Sequence, residues 1–185
     1  MRIKTHNYNL TISNLNNTMI NVVSPYKILK EDDLFSIQRF LDKTQDFFLL
    51  CEGQKINAEG LLTSCPKNKN PELDKLVIGL IENNALIGLV DIIKDYPSPY
   101  IWTIGYLLID PDFRNQQKGS TFVEFLKTFK MNGAQRLRCI VQKQNPQALD
   151  FWTKNGFIIT TDGVQDLGLQ ENKIFILEKS IAPRF

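Results

Sequence analysis

The stretch Asp110-Pro111-Asp112-Phe113-Arg114-Asn115-Gln116-Gln117-Lys118-Gly119-Ser120 decides how this chain reads. Ahead of it, residues 104–109 form an apolar, strand-like run. Behind it, residues 121–131 place apolar side chains at helical spacing. A strand that passes through a polar, basic, glycine-containing turn into a helix is suited to holding phosphate. The first turn of such a helix has backbone N–H groups with no intrahelical partner, and the helix dipole adds partial positive charge. The spacing therefore predicts an anion cradle at 110–120 that holds the pyrophosphate of a cofactor.

The chain around this turn has 185 residues and a formal net charge of +2. That length predicts one domain with a substantial core. The near-balanced charge argues against a protein built chiefly to bind nucleic acid. No apolar run approaches the roughly 18–20 residues that a membrane helix needs, so no membrane partner is expected. Residues 1–10 lack the apolar core of a signal peptide. Cys51, Cys65 and Cys139 show no CxxC spacing and read as reduced thiols of a cytoplasmic protein rather than disulfides or zinc ligands. His6 is the only histidine, which excludes a histidine-rich metal site. A Ser–His or Cys–His mechanism would have to use that one residue, in a polar terminal stretch. No metal is expected.

Upstream of the turn, residues 5–23 alternate weakly around an Asn-rich turn at 14–17 and suggest a hairpin. Asp32 and Asp33 open a helix over Leu34–Lys43, because Leu34, Ile37 and Leu41 recur at helical spacing. Residues 45–51 are apolar-rich and end at Gly53. Residues 56–65 read as a short helix stopped by Pro66, and 67–71 as a polar loop. The pattern then changes. Residues 76–81 and 85–94 are strands joined by a tight turn, where Asn83-Asn84 can supply positive φ. Ile101–Ile109 is a third strand. A helix follows over 118–131, ended by Gly133. Arg136–Gln142 is a strand, and Asn145-Pro146 starts the next helix. Residues 157–161 and 173–179 are the last strands. This order predicts a single mixed α/β domain.

Two segments carry a resemblance. Gly105-Tyr106-Leu107-Leu108-Ile109-Asp110-Pro111-Asp112-Phe113-Arg114 with Gly119 resembles the strand–turn–helix motif of the GCN5-related N-acetyltransferases, whose turn reads Arg/Gln-x-x-Gly-x-Gly/Ala. Further on, Asn145-x-x-Ala148-x-x-Phe151-Trp152-x-Lys154-x-Gly156-Phe157 resembles that family's second signature. The resemblance covers residues 76–161. It implies the family's fold: one domain over 1–185, with helices on both faces of a mixed, mostly antiparallel sheet of about six to seven strands. That sheet splays at the motif strand. Residues 1–70 would be the helical, substrate-side part and 76–161 the acyl-coenzyme A-binding core.

The resemblance also implies acetyl transfer from acetyl-coenzyme A to a primary amine on a small molecule or peptide, by direct attack in a ternary complex. The phosphates would lie on the N–H groups of Gln116, Gln117, Lys118, Gly119 and Ser120, with Arg114 and Lys118 supplying charge. The pantetheine arm would pair with the splayed strand near Leu108 and Ile109. The Leu108 N–H would polarise the thioester carbonyl. Asn145 and Trp152 would line the cofactor arm, and relatives often dimerise through terminal strands.

Two positions depart from the family pattern. Gln117 stands where the motif has its first glycine. Trp152 stands where a tyrosine often protonates the leaving thiolate, and an indole cannot do so. These departures give weight to an alternative in which the chain is a catalytically degenerate acyl-coenzyme A sensor or interaction module. For the amine, Asp91 interrupts an apolar strand and is either the base or amine-binding group, or an inert, salt-bridged carboxylate. Phe47 either walls the substrate pocket or packs within its helix. Tyr106 either lines the site or belongs to the core.

Overall fold

A computed structural model describes residues 11–15 and 18–182. Strands β1 (Thr11–Leu15) and β2 (Thr18–Val22) form an antiparallel hairpin outside the main sheet. The hairpin read over 5–23 is thus present from residue 11 on. Residues 5–10, His6 among them, and Asn16 and Asn17 of its turn lie outside the described residues. Strand β3 (Tyr26–Ile28) leads to helices α1 (Leu34–Lys43), α2 (Gln45–Glu52), α3 (Ala58–Thr63) and the short α4 (Pro71–Asp74). The rest runs β4 (Lys75–Glu82), β5 (Ala85–Ile93), β6 (Ile101–Ile109), α5 (Lys118–Leu126), β7 (Arg136–Gln142), α6 (Pro146–Lys154), β8 (Ile158–Leu167) and β9 (Gln170–Ser180).

The local chemistry explains most boundaries. Asn57 caps α3 by accepting the Gly60 N–H, and Asn145 caps α6 by accepting the Ala148 N–H. Gly53 and Gly133 end their helices in the left-handed conformation. The helix predicted over 118–131 tightens to a 3-10 helix after Leu126. Strand β3, helix α4 and the full length of β8 and β9 were not foreseen. Residues 1–70 are therefore not purely helical, because β3 joins the main sheet.

That sheet has seven strands in the order β3-β4-β5-β6-β7-β9-β8. Every neighbouring pair is antiparallel except β6–β7, which is parallel. Alternating side chains sort to two cores. Ile78, Val90, Ile92 and Ile104 pack with Phe122, Leu126 and Phe129 on one face. Val77, Leu89 and Leu108 pack with Ile37, Leu41, Phe48 and Leu61 on the other. Helices thus cover both faces, as the resemblance implies.

Two irregularities open the sheet. The β5–β6 register pairs Asp91 with Tyr106 but Ile92 with Ile104, so Gly105 is an extra residue on β6. A Cβ at Gly105 would lie 2.8 Å from Asp91 Oδ2, which is why glycine fits there. The β6–β7 ladder runs only from Ile101↔Arg136 to Ile104↔Cys139. Beyond it the two strands continue without pairing each other, and a V-shaped opening forms from Gly105 onward. The opening begins on β6 ahead of Leu108 and Ile109, where the pantetheine arm is expected to pair.

Candidate active site

The V opens into a cleft of about 960 Å³. Its walls are β6 and β7, the turn 113–120, the start of α6, helix α2 and the end of β8. The turn in which the sequence predicts an anion cradle lies at one end. Gln117 is the N-cap of α5 and adopts φ +61°, the conformation for which the family motif uses glycine. Asn115 does the same at φ +61°. Among the described residues no side chain caps α5, so its first-turn N–H groups remain available to an anion. Gly119 lets α5 approach α6, because a Cβ there would meet the Phe151 ring at 3.0 Å. Gln117, Lys118, Gly119 and Ser120 all border the cleft. The Gln116 side chain instead turns back to donate to the Asp112 carbonyl at 3.0 Å and does not line it.

Both cations of the cradle already have carboxylate partners. Arg114 Nη1 donates to Asp46 Oδ2 at 3.1 Å, and its Nε donates to the Ile109 carbonyl at 3.1 Å. The Arg114 hydrogen bond holds the Asp46 carboxyl below its ordinary range. Lys118 pairs with Glu82 at the end of β4. These contacts fasten the turn to α2 and β4, and they place both positive side chains beside the helix N-terminus.

The backbone of β6 corrects one expectation. Asp110 N–H donates to the Ile87 carbonyl at 2.9 Å, across the β5–β6 ladder. N–H groups two residues apart point to the same side of a strand. The Leu108 N–H therefore faces β5, where it is committed to the ladder, and cannot be the free donor expected of it. The N–H groups of Leu107 and Ile109 face the opposite side, where β7 has diverged. On β6, the backbone donors that face the cleft are theirs.

Asn145 and Trp152 stand on α6. Asn145 uses its side-chain oxygen to cap the helix, and its Nδ2 donates to Cys51 Sγ at 3.7 Å. Trp152 is buried to 7 % exposure between Phe151 and Phe157, with ring centroids 5.1 and 4.7 Å away. Both border the cleft. Trp152 is a packing residue of its wall.

On the other side of the V, the α1–α3 face supplies the remaining groups. Asp91 lines the cleft but is not free. Its Oδ2 lies 3.0 Å from Lys75 Nζ, and both side chains are almost wholly buried. Lys75 also donates to the Ser64 carbonyl. Burial raises the Asp91 carboxyl above its ordinary range, while Lys75 pulls it back. Its other oxygen, Oδ1, is sealed from solvent without a hydrogen-bond partner among the described residues. Of the two readings the sequence left open, the salt-bridged one is the one this geometry describes. Tyr106 stands opposite Asp91 on β6, its ring edge-on to Phe47 and Phe48 with centroids 6.1 and 5.2 Å away. Phe48 is buried in the core, whereas Phe47 borders the cleft.

Sequence reasoning missed Glu52, the last residue of α2. It is 8 % exposed, borders the cleft, and its Oε1 accepts a hydrogen bond from the Tyr106 phenol at 2.6 Å. It missed Lys75 as well. The one local signal for Glu52 was its place just before Gly53, where an apolar helix ends in a carboxylate.

With this geometry in place, comparison with known proteins agrees. A family model for the acetyltransferase (GNAT) family matches residues 30–157. The chain belongs to that family. A search of curated proteins finds no match. Among solved structures, an acetyltransferase from Thermus thermophilus superposes with a TM-score of 0.67 at 19% identity, covering 84% of this chain and 95% of that one. The ribosomal-protein-S18-alanine N-acetyltransferase from Escherichia coli gives 0.64 at 15% identity, over 86% and 95% of the two chains. The PaiA N-acetyltransferase from Thermoplasma acidophilum, solved in complex with coenzyme A, gives 0.60 at 22% identity, over 84% and 97%. At these identities the likeness concerns the fold.

Proposed function

We propose that this chain transfers an acetyl group from acetyl-coenzyme A to a primary amine, by direct attack in a ternary complex. The observation that carries the reading is the V between β6 and β7, which runs from the bulge at Gly105 to the uncapped N-terminus of α5. The residues there fit the cofactor. The N–H groups of Gln117, Lys118, Gly119 and Ser120 and the cations Arg114 and Lys118 suit a pyrophosphate. The N–H groups of Leu107 and Ile109 suit an amide-bearing arm entering as an added strand. Asn145, Ala148 and Trp152 form the facing wall. The coenzyme supplies an activated acetyl thioester when bound. The chain's own part is to hold that arm, keep water from it and present the amine. Coenzyme A bound to the PaiA relative supports this choice of ligand.

The test combines calorimetric titration with acetyl-coenzyme A and mass spectrometry of a panel of amines after incubation. Binding with N-acetylated product supports the reading. Binding with no product on any amine favours the sensor or interaction module that Trp152 suggests. Absence of binding removes both.

A further inference from the structure

Among the described residues, four carboxylates border the cleft: Asp46, Glu52, Asp91 and Asp166. Asp46 is paired with Arg114 and Asp91 with Lys75, and Asp166 is exposed on β8. Glu52 differs from all three. It is buried, accepts the Tyr106 phenol, and forms no ion pair among the described residues. Its backbone is clamped as well. The Leu169 N–H in the β8–β9 turn donates to the Glu52 carbonyl at 2.8 Å, and Asn172 Nδ2 donates to the Cys51 carbonyl at 3.1 Å. Gly168, at φ +59°, touches Glu52 so closely that an added Cβ would lie 2.5 Å from its carbonyl oxygen and 2.6 Å from its Cβ. Three elements, α2, β6 and the β8–β9 turn, therefore converge on one residue.

A buried carboxylate with no cation beside it is costly, and stability alone would favour glutamine or an apolar side chain there. We propose that Glu52 binds the ammonium group of the acceptor and takes its proton, and that the acceptor is an alkyl primary amine whose stem lies against Phe47, Leu50 and Leu167. This rests on the acetyl-transfer reading and assigns its acceptor side. Tyr106 is a positioning residue. Burial, then Glu52, raises its phenol well above the ordinary tyrosine range, so it stays a donor and holds one carboxylate oxygen. The other oxygen is left for the amine. In the step, Glu52 takes a proton from the alkylammonium ion. The freed nitrogen lone pair attacks the thioester carbonyl carbon. The C–N bond forms and the C–S bond breaks with its electron pair on sulfur. The surplus amide proton goes to the thiolate, and Glu52 returns its proton to water.

The test is Glu52→Gln, which keeps the shape and the acceptor for Tyr106, studied beside Tyr106→Phe. Coenzyme A affinity, measured by calorimetry, should be unchanged in both. In Glu52→Gln, alkylamine binding to the coenzyme A-saturated protein should weaken at least about tenfold, and kcat towards alkylamines should fall about 10²–10⁴-fold. A hydrazide, already neutral at assay pH, needs no proton removed before attack, so its kcat should fall less than about tenfold. Tyr106→Phe should raise KM for alkylamines with a smaller change in kcat. Undiminished alkylamine binding and turnover in Glu52→Gln, or equal losses for alkylamine and hydrazide, overturn the role of Glu52 while acetyl transfer stands. A wild-type chain that acetylates no amine removes the acetyl-transfer reading, and this assignment with it.

Discussion

Lys75 and Asp91 form a buried ion pair across the β4–β5 ladder, Nζ to Oδ2 at 3.0 Å, directly beside the bulge at Gly105. The pair stands two residues along β4 from Val77 and two along β5 from Leu89, on the face that packs against α1–α3. Its place explains how a carboxylate survives in an apolar strand. It also gives Asp91 the task of holding the strands that form one side of the cleft.

Removing one partner leaves an uncompensated buried charge. Asp91→Leu or Lys75→Met alone should each lower unfolding stability by about 3–5 kcal/mol. The double variant should recover most of that loss, since paired apolar replacements are often near neutral. Urea denaturation of the three variants checks this. Additive losses in the double variant would contradict a mutually compensating pair.

Arg114 tests the cradle. Arg114→Ala should weaken coenzyme A binding by about 1–3 kcal/mol, the worth of a charge-assisted contact to phosphate. Asp46→Asn releases Arg114 from its exposed carboxylate partner and should tighten binding by less than about 1 kcal/mol. Calorimetric titration of both variants distinguishes a phosphate contact from a purely structural one, which would leave affinity unchanged in each.

Trp152 should matter for packing rather than for proton transfer. Trp152→Ala should cost about 3–5 kcal/mol of stability, as truncation of a large buried aromatic does. Trp152→Tyr should keep turnover without the loss of about a hundredfold or more that marks removal of a general acid. Thermal unfolding and steady-state rates read the two effects separately.

Tyr106 carries a pH signature. Its phenol is raised above the ordinary value of 10.0, first by burial and then by its hydrogen bond to Glu52. The folded chain therefore keeps a proton that the unfolded chain gives up. The corresponding stability is fully present below pH of about 10 and is lost as pH rises towards the folded value. Tyr106→Phe should flatten the decline of stability above pH of about 10, measured by urea denaturation at stepped alkaline pH.

Features set by local chemistry were legible in the sequence. Asn145-Pro146 marked a capped helix, Gly133 a helix end, and 110–120 a strand-to-helix turn, because a few adjacent residues determine each. Gln117 was visible as a departure, and it fills the glycine's place by taking up positive φ itself. What escaped depends on pairing between distant segments. The N–H direction at Leu108 follows from register with β5, so the donor moved to its neighbours. Glu52 gains its meaning from Tyr106 on β6 and Gly168 beyond β8, neither near it in sequence. Most of β8 escaped because the strand lies at the sheet edge with both faces exposed, which leaves no apolar alternation to read.

The most direct measurement is a crystal structure of this chain with coenzyme A. Pyrophosphate should lie on the N–H groups at the start of α5, the pantetheine arm should bond to the backbone of Leu107 and Ile109 inside the V, and the sulfur should point towards the end of the cleft where Glu52 stands. Coenzyme A bound outside the V, or an arm that leaves the Leu107 and Ile109 backbone untouched, would contradict this placement.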